Sequence, residues 1–94
     1  MEIKKQNESF VLTDVNDVYE TSGHITYDVT GTLNVHFSVN TLNDNYVGDC
    51  HYAQHGDTND VNFGINCAEI YRRDLTAYAD SVIAYILQNF KSVK

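Results

Sequence analysis

The residues best suited to chemistry in this chain are four histidines, two cysteines and a scatter of carboxylates. His51 and His55 have the H-x3-H spacing, with Cys50 adjacent and Cys67 further on. On a helix that spacing sets both rings on one side, within reach of one zinc ion. On a strand the two residues lie roughly 13 Å apart along the chain. Tyr46, Gly48, Cys50 and Tyr52 alternate with Val47, Asp49, His51 and Ala53, which is a strand pattern. A zinc site is therefore not expected. Asp57-Thr58-Asn59-Asp60 begins like a calcium loop. The motif then fails, because Val61 takes the third ligand position and Asn62 the place of the required glycine. It reads as a hairpin turn. Cys50 and His51 are neighbours on a strand and point to opposite faces, so they do not form a nucleophile–base pair. There is no G-x-S-x-G, P-loop or dinucleotide fingerprint. The expectation is a non-enzymatic protein with no catalytic residues, metal or cofactor.

The elements that position these residues follow from periodicity. Residues 1–7 are polar and charged and are expected to fray. Phe10 to Tyr19 favours a strand, with a parity change that suggests a bulge, and Glu20 to Gly23 reads as a turn. Apolar residues then hold every odd position from Ile25 to Val39 except Gly31, with polar residues at the even positions. This is a strand with one wet face. An unbroken strand bent at Gly31 keeps the pattern, and so does a three-residue loop pairing Val29 with Leu33. The bent strand is the preferred reading. A turn at Leu42–Asn45 pairs Val39 with Gly48 and His36 with His51 on the wet face. Two adjacent imidazoles suit a metal or a proton switch, but no third or fourth ligand is evident. Pairing the last two strands around 57–60 sets Tyr52 opposite Ile65, Cys50 opposite Cys67 and Asn66 next to His51. Two buried thiols are favoured there over a disulfide.

From Ala68 the period changes. Tyr71, Leu75, Tyr78, Val82, Ile86 and Phe90 recur every three or four residues, widened by Ala79 and Ile83. This is an amphipathic helix with Asn66 as its expected N-cap, and Arg73, Asp80, Gln88 and Lys91 face water. The expected fold is α+β and a single domain, residues 1–94. An antiparallel meander of three to four long bent strands (8–67) is followed by one C-terminal helix (68–91) on one sheet face. One helix covers such a sheet only partly, so leftover apolar surface favours a homodimer.

Charge narrows the function. Thirteen acids oppose six bases, for a net charge of -7 and a pI near 4.7. Direct nucleic-acid binding needs clustered Lys and Arg, which are missing. No apolar run approaches a membrane span. MEIKKQNESF has no apolar stretch behind its lysines, so a cytoplasmic, reducing setting is expected. Between Gln6 and Tyr71 there is no Lys or Arg, while ten acids fall there. Arg72-Arg73 reads as a local partner for Glu69 or Asp74.

In size, acidity and lack of catalytic residues the chain resembles phage-encoded antagonists of host nucleic-acid enzymes, the anti-CRISPR and anti-restriction proteins. The resemblance implies a basic, nucleic-acid-binding protein partner held through an anionic surface. Contact residues are expected at Asp44, Asp49, Asp57 and Asp60, with Asp14, Asp17 and Glu20 as a second cluster. Two other classes compete. A long sheet backed by a helix is similar in general architecture to SecB-type chaperones, which implies a chain-binding module. A structural subunit of a phage or other assembly is the third.

Overall fold

The computed structural model describes residues 2–6, 9–27, 31–56, 58 and 60–90. Six strands form one antiparallel sheet in sequence order: β1 (Glu2–Gln6), β2 (Ser9–Val15), β3 (Tyr19–Tyr27), β4 (Leu33–Thr41), β5 (Tyr46–Gln54) and β6 (Val61–Cys67). A 3₁₀ turn (Glu69–Tyr71) leads into α1 (Arg72–Phe90). The class is the expected α+β meander with a C-terminal helix, but the sheet has six strands rather than three to four.

Three local features account for the difference. Glu2–Gln6 pairs with β2, with Ile3 opposite Leu12, so most of the segment expected to fray is an edge strand. The turn between β2 and β3 falls at Asn16–Val18, not at Glu20–Gly23. Asn16 Oδ1 accepts from the backbone N–H of Val18 and of Tyr19, both at 2.7 Å, and this side-chain turn reverses the chain early. Gly23 instead lies inside β3, opposite Phe37. A Cβ at that point would run into the His36 carbonyl and the Phe37 backbone. Third, the expected bent strand is a hairpin: β3 pairs with β4 from Tyr27↔Leu33 to Tyr19↔Thr41. Gly31 sits in the connection with φ +84°, a left-handed conformation that glycine adopts without a Cβ clash.

The β4–β5 register is the expected one, with Val39↔Gly48 and His36↔His51. A bulge at Val39/Asn40 turns Val47 inward, where it is buried beside Gly48. The β5–β6 register is offset by two residues from expectation. Cys50 faces Ile65, Tyr52 faces Phe63 and Gly48 faces Cys67, so both cysteines are free thiols on different rungs. Asn66 faces Asp49, and Gly64 takes the place opposite His51. A two-residue slip keeps every side chain on its face, so hydrophobic alternation cannot detect it.

Asn66 belongs to β6 and does not cap the helix; Ala68 precedes the 3₁₀ turn with no side-chain cap. Lys91 lies outside the described residues. The apolar stripe buries Leu75, Ala79, Val82, Ile83 and Ile86 against Leu12, Ile25, Val35, Phe37 and Val39 of the sheet. At Gly48 a Cβ would come 3.0 Å from Leu75 Cδ2, so the helix rests on bare backbone at that rung. The opposite sheet face stays wet.

Candidate interaction surface

A meander sends alternate connections to opposite ends of the sheet. The β2–β3 turn, the β4–β5 turn and the β6–α1 junction therefore share one end, spaced roughly 7–10 Å apart by the strand interval. Asp17 lies in the first turn and Asp44 in the second, both exposed. Asp44 holds φ +67°, and Thr41 Oγ1 accepts from Asn43 N and Asn45 N to shape the turn around it. Glu20 and Tyr46 flank Asn40 on the first wet-face rung below. Asp49 follows one rung further in, where Tyr46 Oη donates to Asp49 Oδ2 at 2.8 Å. That bond raises the pKa of the Tyr46 phenol above its ordinary value.

The structure thus regroups the acids expected to meet a partner. Asp17, Glu20, Asp44 and Asp49 gather at one end. Asp60 lies in the β5–β6 connection, at the opposite end, and Asp57 lies outside the described residues. Asp14 faces the helix side, where Tyr78 Oη donates to its Oδ2 at 2.6 Å. It holds the helix to β2.

Apolar residues that sequence reasoning passed over share the acidic end. Val15, Val18, Leu42, Tyr46 and Ile70 are five of the eight large apolar side chains left exposed among the described residues, Ile70 at 82% and Val15 at 68%. Single exposed apolar residues are ordinary, but several at one end, rimmed by acids, make this end the candidate interaction surface. Their signal was present in the sequence. Val15, Val18 and Leu42 interrupt polar turns, and Ile70 lies off the helical stripe. A depression of about 380 Å³ lined by Glu2, Thr13, Asp14 and Val15 opens at this end. Glu2 is paired at 3.1 Å with Lys4.

The chain matches no family model, no curated protein and no solved structure.

Away from that end the wet face is almost uncharged. Its central rung runs Lys4, Val11, His24, His36, His51 and Gly64 across all six strands, with Lys4 its one Lys or Arg. The His36–His51 pair expected from the β4–β5 turn is therefore a row of three. His24 was hidden by the bent-strand reading, since only the antiparallel pairing of β3 with β4 brings it opposite His36. The His51 ring fills the notch that Gly64 leaves, and would block a Cβ there. Among the described residues no three His, Cys, Asp or Glu side chains converge on a metal position. Arg72 is held locally, with Nε 3.0 Å from both carboxylate oxygens of Glu69.

Proposed function

We propose that the protein is a non-enzymatic binding module that docks a basic protein, of the nucleic-acid-binding class, through the end of the sheet carrying the β2–β3 and β4–β5 turns. The supporting observation is the coincidence there of Asp17, Glu20, Asp44 and Asp49 with exposed Val15, Val18, Leu42, Tyr46 and Ile70. Carboxylates steer a cationic partner and set its register. The apolar side chains supply the area that holds it once docked. No Lys or Arg occurs between Gln6 and Tyr71, and of the two arginines that open α1 at this end Arg72 is held by Glu69. The depression beside Val15, with Glu2 and Asp14 in its wall, has room for an arginine or lysine side chain. Inhibition of the partner is the consequence expected when carboxylates occupy positions that nucleic-acid phosphates would take.

The test uses immobilised protein as bait in a lysate of the source cell, washed in rising salt. Wild type should retain a basic protein that moderate salt releases. The double variant Asp17→Lys, Asp44→Lys should bind it at least tenfold more weakly at low salt, and Asp60→Lys, at the other end, should not. Equal capture by all three baits refutes this docking end. Retention of many unfolded clients through high salt would favour the chain-binding module, and recovery of the bait alone the structural subunit.

A further inference from the structure

The two edges of the sheet differ. β1 carries Glu2, Lys4 and Lys5, charges of the kind that blunt an edge against strand addition. β6, Val-Asn-Phe-Gly-Ile-Asn-Cys, has no charged residue. It pairs with β5 on one side only, and among the described residues no backbone bond leaves its other side. Its apolar side chains share the helix-side face with Cys50 and Tyr52, yet Val61 remains 54% exposed and Phe63 36%. The helix does not cover this corner.

The pattern of β6 is a palindrome about Gly64: apolar, Asn, apolar, Gly, apolar, Asn, apolar. An antiparallel two-fold pairing centred on Gly64 sets Val61 opposite Cys67, Asn62 opposite Asn66, and Phe63 opposite Ile65 of the second copy. Every apolar residue meets an apolar residue on the helix side, and every Asn meets an Asn on the wet side. A shift by one residue would mix the faces. Gly64 falls on the axis, where the His51 ring of each copy already packs over its own glycine.

We propose that β6 is a self-association edge, through which two copies join their sheets into one twelve-stranded sheet. Electrostatics supports a second copy as the occupant. Two chains of charge -7 repel, and β6 itself brings no carboxylate into the pairing, the nearest being Asp60 and Glu69 beyond its two ends. The pairing closes on itself, because the remaining edges of the dimer are the charged β1 strands.

Three measurements test it together. Sedimentation velocity over a concentration series should show a monomer–dimer equilibrium; a monomer up to about 1 mM overturns the proposal. In Asn62→Lys, Asn66→Lys the pairing sets lysine opposite lysine twice, and association should fall at least tenfold. Both side chains are exposed and position 66 faces Asp49, so circular dichroism should report an intact fold. A folded variant that still dimerises as wild type does overturns the edge. Val61→Cys brings a thiol opposite Cys67 of the second copy, within disulfide reach under mild oxidation. In this register the two native Cys67 residues lie roughly 20 Å apart. The variant should therefore give a covalent dimer on non-reducing gels where wild type does not, and equal cross-linking of both overturns the register.

Discussion

Replacing Tyr78 with Phe removes one oxygen and tests how the helix is fixed to the sheet. Tyr78 Oη lies 2.6 Å from Asp14 Oδ2 and 2.6 Å from Thr21 Oγ1. A phenol has one proton to give. It goes to the carboxylate, so Thr21 donates to Tyr78. The bond to the carboxylate contributes about 1.5 kcal/mol, the low end for a charged acceptor because Asp14 is partly exposed. Thr21 is 2% exposed, so losing its partner costs about 1 kcal/mol more. The ring remains and keeps its contact with Tyr19, 5.3 Å between centroids. Tyr78→Phe should therefore destabilise by about 2–3 kcal/mol, lowering the urea midpoint by roughly 2–3 M if the slope is near 1 kcal/mol/M. Unfolding followed at 222 nm measures it. A double-mutant cycle with Asp14→Asn should give a coupling of at least about 1 kcal/mol. A loss under about 0.5 kcal/mol with no coupling would refute the view that Asp14 is a structural anchor, and would return it to the candidate contact residues.

Burial, with Asp49 and Cys67 adding to it, pushes the Cys50 thiol up from 9.0 to about 12. A raised pKa means that the folded state resists losing the proton. The associated stability is complete below pH 9 and is lost as pH rises towards 12, by at most about 1.4 kcal/mol per pH unit. Cys50→Ala should flatten the alkaline fall in urea stability between pH 9 and 11; a slope equal to wild type refutes the assignment. Gly23→Ala should cost more than about 3 kcal/mol or abolish the fold, because its Cβ meets the His36 carbonyl and the Phe37 backbone. Gly64→Ala meets only the exposed His51 ring, which can swing away, so urea melts should place its cost within about 1 kcal/mol. Equal losses for the two would contradict this ranking.

What the sequence conveyed was governed by parity. Alternation from Leu33 to Val39 and from Gly48 to Tyr52 identified the buried face correctly, but the bulge reverses it at Tyr46, which is exposed, and Val47, which is buried; the short turn at Leu42–Asn45 fixed the β4–β5 register. The helical stripe from Leu75 to Ile86 was equally legible, because a period of 3.6 cannot be confused with 2 over three turns. Parity cannot separate alternatives that differ by an even number of residues. That is why the β5–β6 pairing slipped by two, and why a hairpin at Gly31 and a bent strand looked alike. β1 was unreadable for another reason. Its lysines and glutamate are what an edge strand needs, yet the same residues describe a frayed terminus.

The candidate site was mis-grouped by a topological rule rather than a chemical one. Asp44, Asp49, Asp57 and Asp60 are close in sequence, and closeness in sequence suggested one patch. In a meander, consecutive hairpins point in opposite directions, so Asp44 and Asp60 lie at opposite ends of the sheet. Asp17, some 27 residues before Asp44, lies at the same end because exactly one hairpin intervenes. The same rule bears on self-association. A two-fold axis through Gly64, normal to the sheet, reverses strand direction between the copies. The docking end of one copy then points opposite to that of the other. Pairing through β6 leaves Asp17, Glu20 and Asp44 uncovered in both, so edge association and end-on docking make separate demands on the molecule.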